Sequence, residues 1–287
     1  MKVKEELRQF AYDNEMDYFG VTPVDRMKDL PEHYRPTDLY PEGKNVIVMG
    51  MALSEGVIQA HDAAFSGGPD RIQVFTAFGY NKVNELLNIA ALRMVRLIEK
   101  KYGGIALPMP SNEPHNEEDW MGTLSNRYAA MCAGLGEMTW SGFVATPEAG
   151  PRVVMWVSII TTLELEPDPL YAGKKLCDHS RCNVCVEACP VFALSKTETV
   201  DVDVVDGKTF YGKRNKPLCR CAVKGLVKGT PGRLQNDIPH NNRMKNMEDW
   251  YQLTKKDDPW QRMEFNHGNY CLHCMTQCPI GMKEGEN

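Results

Sequence analysis

Cys177-Asp-His-Ser-Arg-Cys182-Asn-Val-Cys185-Val-Glu-Ala-Cys189-Pro190 and Cys271-Leu-His-Cys274-Met-Thr-Gln-Cys278-Pro279 both contain the spacing C-x2-C-x3-C-P. That spacing is the tail of the bacterial C-x2-C-x2-C-x3-C-P pattern, in which soft thiolates wrap a cubane iron–sulfur cluster. One such run can arise by chance. Two in one chain, each closed by proline, predict a pair of [4Fe–4S] clusters and a ferredoxin-like domain around them.

Two cubanes need eight ligands, and the chain has 10 cysteines. In two-cluster ferredoxins the cysteine before proline serves the other cluster. On that rule Cys182 and Cys185 join Cys278 at one cluster, while Cys271 and Cys274 join Cys189 at the other. Each cluster still lacks a ligand. At the first, the regular position holds His179, with Cys177 two residues earlier; thiolate suits this chemistry better than imidazole, which favours Cys177. At the second, Cys219 and Cys221 in Pro217-Leu-Cys-Arg-Cys-Ala are both candidates, and spacing does not choose between them. Cys132 lies among apolar neighbours and reads as a core residue. Zinc is the competing metal, but four-ligand zinc sites pair two C-x2-C knuckles and have no use for the C-x3-C-P ending.

The remaining sequence bounds the setting. A chain of 287 residues, 43% apolar and with a formal net charge of −5, can bury a real core and carries no overall attraction to nucleic acid. The longest apolar stretch, Val153 to Ile160, is too short to span a bilayer. The N-terminus has early acidic residues, no apolar core and no twin arginine, so the expected location is the cytoplasm, where cysteines favour metal over disulfides. Charge is uneven, however. Lys208, Lys213, Arg214, Lys216, Arg220, Lys224, Lys228, Arg233, Arg243 and Lys245 fall between the two cysteine runs, opposed by Asp237. This basic insert, at about 208–246, reads either as a solvated, partly loop-like segment or as a docking face for an acidic electron donor or a phosphate-rich substrate.

Hydrophobic periodicity predicts the elements. Leu7, Phe10 and Ala11 share one face of a helix over residues 4–14, and 17–22 reads as a strand. Prolines make 28–44 a loop. The continuous apolar run 46–53 fits a central strand buried on both faces. Val83, Leu87, Ala90 and Met94 mark a long helix from about Tyr80 to the Gly103-Gly104 stop. A strand at 105–109, a helix at 127–132 and a strand at 153–165 follow. Pro167, Pro169 and Gly173 then punctuate the chain, placing a domain boundary between 1–172 and 173–287 in an α+β protein.

A bare ferredoxin needs only about a hundred residues, so the long first part implies a site that the clusters feed. Ala133-Gly-Leu-Gly-Glu-Met-Thr-Trp-Ser-Gly142 is followed by Phe-Val-Ala-Thr146-Pro-Glu-Ala-Gly-Pro-Arg152 and by Thr162-Leu-Glu-Leu-Glu-Pro-Asp168. This resembles the segment before the clusters in reductive dehalogenases and epoxyqueuosine reductases, approximately AGLGE-x-x-R-x-G…ITPE-x-GP-x-V. Gly79-Tyr80-Asn-Lys and Pro110-Ser-Asn112 are similar to the dehalogenase elements GYS and PS-x-N. The likeness runs from about Tyr18 to Pro279.

The resemblance implies a nitroreductase-like α/β domain at 1–172 that holds cobalamin (a corrinoid) base-off, and a two-[4Fe–4S] ferredoxin-like domain at 173–287. Electrons from reduced ferredoxin or flavodoxin would pass through the clusters to cobalt, for reduction of a small organic substrate. It further implies that Gly134, Gly136, Gly142 and Thr146 lie against the corrinoid, glycine allowing close approach to a flat macrocycle. Tyr80 would match the proton-supplying tyrosine, unless it is an ordinary tyrosine at a helix start, and Arg152 a basic residue near the substrate. Asn112 and Glu113 are further cavity candidates. Three departures stand out: Thr139 and Trp140 replace the expected Gly and Arg or Lys, His115-Asn-Glu-Glu-Asp-Trp120 enlarges a loop, and the reductases' acidic aspartate has no counterpart. They keep open an electron-transfer protein that reactivates a corrinoid partner protein. A tRNA substrate rests on the basic insert.

Overall fold

The computed structural model describes residues 2–112, 122–153, 155–204, 207–225, 227, 230–231 and 269–282. Helix α1 (Val3–Asp13) turns Leu7 and Ala11 inward. Strand β1 (Tyr18–Pro23) leads through a proline-containing connection, with one helical turn at Pro36–Leu39, into β2 (Asn45–Met51). Helix α2 (Glu55–Phe65) fills a stretch without clear periodicity. Helix α3 (Lys82–Leu97) is flanked by wider helical turns at Phe75–Asn81 and Ile98–Tyr102. It stops where Gly103 takes a left-handed φ of 68°. Strand β3 (Ala106–Met109), helix α4 (Asn126–Cys132), the short strands β4 (Glu137–Met138) and β5 (Val144–Ala145), and β6 (Met155–Thr161) complete the first part.

The main sheet has the order β1-β2-β6-β3, with every pairing antiparallel. Alternation explains why its central strands read as unbroken apolar runs. Strand β2 sends Ile47 and Met49 to one face and Val46 and Val48 to the other, while β6 does the same with Val157 and Ile159 against Trp156 and Ile160. Helices α1, α2 and α3 cover the first face through Leu7, Ile58, Leu87 and Met94. Helix α4, with Met27 and Leu30, covers the second. Each such side chain contributes roughly 1.5–3 kcal/mol of burial. A sheet covered on both sides thus imitates the sequence pattern of a parallel one.

After the proline-rich connection come helix α5 (Val184–Glu187), strands β7 (Leu194–Val204) and β8 (Gly207–Arg214), helix α6 (Lys216–Val223) and helix α7 (His273–Thr276). The start of the basic insert is therefore strand and helix rather than loop. Val200 pairs with Tyr211 and Val202 with Thr209 in the β7–β8 hairpin, and the alternation of valine with threonine and aspartate over 199–204 is the strand signature that announces it. Lys228, Arg233, Asp237, Arg243 and Lys245 lie outside the described residues, as do Glu113 and the His115–Trp120 insertion.

The two parts share packing. Tyr270 and Met275 belong to the same apolar cluster as helices α1 to α3. Thr76 donates its hydroxyl hydrogen to the Asn269 carbonyl at 3.0 Å. Among the described residues no helix is long and apolar enough to cross a membrane. None of the ten cysteines forms a disulfide.

Candidate functional site

The first cysteine run curls tightly. Cys182 N–H donates to the Asp178 carbonyl at 3.0 Å and Ala188 N–H to that of Val184 at 2.8 Å. The curl brings Cys185 within electrostatic reach of Cys177 and Cys182, with Cys274 and Cys278 beside it from the second run; Cys278 also faces Cys177 and Cys182, which sets it with this group. His179 points elsewhere: its ring lies flat on Trp140, with centroids 3.6 Å apart and planes at 12°. Trp140 closes this quartet. Its main-chain N–H donates to Cys177 Sγ at 3.4 Å, and its indole N–H to the Ser195 carbonyl at 2.9 Å. Sequence reasoning treated Trp140 only as a departure in a cofactor loop; that departure was itself the available signal.

A second quartet forms from Cys189, Cys219, Cys271 and Cys274. Cys271 lies within electrostatic reach of the other three, and Cys274 of Cys219 and Cys189. Helix α6 decides between Cys219 and Cys221. Asn215 caps it by accepting the Leu218 N–H at 3.0 Å, and Pro217 sits in its first turn. Residues two apart on a helix face different ways. Cys219 acts on Cys271 and Cys274, while Cys221 is fully buried in an apolar cluster with Leu218, Ala222, Val191 and Val227 that Cys189 shares and Cys219 and Cys271 border. Cys132 sits in the core beneath the sheet, its thiol directed at the Arg26 carbonyl 3.6 Å away.

Burial pushes the thiols of Cys185 and Cys274 up to about 12 and that of Cys278 to about 11, with neighbouring sulfurs adding to the rise. Without metal these are neutral thiols, so ligation would release protons. Tetrahedral zinc at about 2.3 Å from each sulfur would draw its ligands close together. Among the described residues no three cysteine sulfurs lie within 4.8 Å of one another. The wider quartets suit a cubane, whose own volume stands between its ligands.

One trio does fall within 4.8 Å: His61, Asp62 and His273. Its hydrogen bonds make it a latch. The Leu272 N–H donates to His61 Nε2 at 3.1 Å, so the ring proton sits on Nδ1 and faces Asp62 Oδ1, also at 3.1 Å. A metal at Nδ1 would drive that proton to Nε2, against the Leu272 N–H. Asp62 also accepts from the Thr276 hydroxyl at 2.6 Å. Burial would raise the Asp62 carboxyl, but His273 at 3.7 Å and the hydrogen bonds from His61 and Thr276 override it and hold the group far below its usual range.

Arg152 grips the same run from the opposite end. Its guanidinium donates to the carbonyls of Ile280 at 2.7 Å, Cys278 at 2.9 Å and Thr276 at 3.1 Å. Arg152 is buried. In this structure it positions backbone.

The residues expected at a corrinoid pack against the chain itself. Gly134 and Gly142 do take left-handed φ values of 74° and 76°. Yet a Cβ on Gly134 would overlap the Pro169 carbonyl, one on Gly136 the Ala145 carbonyl, and one on Gly142 would press on the Tyr211 ring. Their missing side chains make room for the protein's own atoms. Thr146 is fully buried, its hydroxyl 3.0 Å from the Tyr18 phenol and accepting from Ala149 N–H at 3.1 Å. These four residues do not fit a macrocycle surface.

Tyr80 does face open space. It lines a groove of about 510 Å³ with Asn84, Glu85, Asn88, Leu92 and Asn112. Its hydroxyl donates to Asn112 Oδ1 at 3.0 Å. Burial raises the Tyr80 phenol above its ordinary range, and Arg220 offsets this only in part. Arg220 adjoins Cys219 on helix α6, so the groove lies on the side of the second quartet.

No protein-family model and no curated protein matches the chain. Solved structures do. The epoxyqueuosine reductase from Bacillus subtilis superposes with a TM-score of 0.52 and 19% identity, over 100% of this chain and 66% of that one. An epoxyqueuosine reductase with an epoxyqueuosine-modified tRNA-Tyr stem loop gives 0.51 and 18%, over 98% of this chain and 65% of its own. A catabolic reductive dehalogenase in complex with 3-bromo-4-hydroxybenzoic acid gives 0.53 and 16%, over 97% of this chain and 32% of its own. The chain thus spans just under two thirds of the length of these epoxyqueuosine reductases and about a third of the dehalogenase. Its fold is theirs, and these neighbours are reductases.

Proposed function

We propose that the chain is an iron–sulfur oxidoreductase whose two [4Fe–4S] clusters carry electrons to an acceptor bound beside Tyr80. Cys177, Cys182, Cys185 and Cys278 would hold one cluster, and Cys189, Cys219, Cys271 and Cys274 the other. The observation that carries this reading is the gathering of eight cysteines into two quartets, each drawing on both runs. Such clusters supply one-electron carriage at low potential.

The chain's own residues do the rest. Arg152, His61 and Asp62 fix the second run, and with it one ligand of the first quartet and two of the second. Trp140 shields Cys177. Tyr80 stays protonated at neutral pH and points its O–H along the groove, where a reduced, strongly basic acceptor can take the proton. A small organic substrate fits that groove, and reduced ferredoxin or flavodoxin is the donor class. No step is assigned to a corrinoid, because the residues expected to cradle it are filled by the chain's own atoms. That filling favours a second reading, in which the electrons go to a separate corrinoid protein. A tRNA substrate draws support from one neighbour's stem-loop complex and from the basic insert.

Anaerobic reconstitution with iron and sulfide tests the core of the proposal. About eight irons per chain and a brown colour are expected; a colourless zinc protein would overturn it. Titration with cobalamin, followed by cobalt EPR, separates the acceptors. A base-off signal at one per chain would restore a resident corrinoid, and no binding leaves the groove or a partner protein. Tyr80→Phe should keep the iron content and lower turnover by about a hundredfold. Unchanged turnover removes Tyr80 as the acid.

A further inference from the structure

Resting on the cluster assignment above, we infer that Arg214 is the fixed counter-charge that sets the reduction potential of the cluster at Cys189, Cys219, Cys271 and Cys274. Backbone geometry places it there. Arg214 ends strand β8 opposite Leu194. The neighbouring Asn215 N–H donates to the Ala193 carbonyl at 2.8 Å, and Ala193 N–H in turn donates to Cys189 Sγ at 3.2 Å. On the other side, Cys219 N–H donates to the Asn215 carbonyl at 3.0 Å. Arg214 is thereby anchored between Cys189 and Cys219.

Its guanidinium lies over the Phe143 ring, 5.5 Å from the centroid, and bonds the Ser141 carbonyl. Its charge acts on Cys219, Cys274 and Cys189, and the neighbouring Arg220 adds to the positive charge at Cys219. The groups that act most strongly on it are these cysteines and the Tyr211 phenol. At the first quartet the cations are the exposed Lys175, acting on Cys177, and Arg152, near Cys278. Arg152 has its hydrogens committed to four carbonyls, those of Ala149, Thr276, Cys278 and Ile280.

The chemistry is one of charge. Reduction places one further electron on a cluster already ringed by four thiolates, and burial opposes that added charge. A guanidinium at the sulfurs stabilises the reduced form more than the oxidised one, and it cannot lose its proton to relieve the field. Arg214 therefore raises the potential of this cluster relative to its partner and draws electrons toward the groove side of the molecule.

The test is an anaerobic redox titration of the reconstituted protein, with electrons from a low-potential chemical reductant and each cluster followed by EPR. Arg214→Gln should lower one midpoint by at least about 59 mV, a tenfold fall in the reduced-to-oxidised ratio at fixed potential, and leave the other unmoved. Arg214→Lys, which keeps the charge, should shift it by less. Midpoints unchanged in Arg214→Gln, equal shifts of both clusters, or equal shifts in the two variants would overturn the inference. Loss of four irons in both variants would also overturn it, by making Arg214 an assembly residue. Wild-type protein without eight irons would instead fail the cluster assignment itself.

Discussion

The two cysteine runs share one motif and differ in how they are held. The first is closed by its own curl, by the β7 strand that follows it, and by Trp140, 37 residues before Cys177, with His179 stacked on it. The second is clamped from far away, by His61 and Asp62 on helix α2 and by Arg152 just ahead of the last sheet strand. Identical spacing thus conceals different mechanics. The first run can organise locally, whereas the second depends on the sheet domain having folded. Because each run lends its last cysteine to the other's quartet, that dependence extends to both quartets.

The largest expected effect breaks the quartets themselves. Cys219→Ser should halve the iron content of the reconstituted protein, from about eight to about four. Cys221→Ser, two residues along the same helix, should leave it whole. Equal iron loss in the two variants would refute the facing assigned to helix α6.

Next comes the clamp. Arg152→Ala leaves the carbonyls of Thr276, Cys278 and Ile280 without their buried donor, which should cost about 3 kcal/mol in denaturant unfolding. An equivalent change at the exposed Arg181 should cost under about 0.5 kcal/mol. The same change at Arg152 should also make iron uptake at both quartets incomplete.

The smallest effect is a pH dependence of the latch. Burial depresses the folded-state pKa of His61 below its ordinary 6.5. The unfolded chain then holds the proton more tightly, so His61 contributes stability above that ordinary value and loses it as pH falls toward the depressed one. Asp62 follows the same sign further down, below its ordinary 3.8. The melting temperature of the apo-protein should therefore fall between about pH 7 and pH 5. His61→Gln keeps an acceptor for Leu272 but cannot titrate, so it should flatten that slope.

Much of the fold was legible. Helix α1, strands β1 and β2, helix α3 and strand β6 follow from period alone, because packing against one sheet imposes 3.6-residue and two-residue repeats on whatever touches it. The β7–β8 hairpin was hidden behind its charge: lysines and arginines on an exposed ribbon resemble a loop until the alternation is read. At the site, spacing proposed Cys278 and Cys189 as the cysteines that close each quartet across the chain, but it could not separate Cys219 from Cys221, because the helix that turns them apart is invisible as a number of residues. The glycines misled for a related reason. A glycine reports that something approaches its Cα closely, and Pro169 and Ala145 leave no trace at Gly134 and Gly136 in a linear reading.

The sequence by itself determined the kind of chemistry on offer: ten soft ligands, most of them in two runs of one spacing, since ligand type and local spacing are properties of contiguous residues. Only the tertiary structure placed Cys219 among the sulfurs of Cys189, Cys271 and Cys274, set Arg152 against the carbonyls of the second run, laid Trp140 against Cys177, and anchored Arg214 between Cys189 and Cys219. Those are relations between residues scores of positions apart, and they exist only after the sheet and its helices have brought the two ends of the chain together.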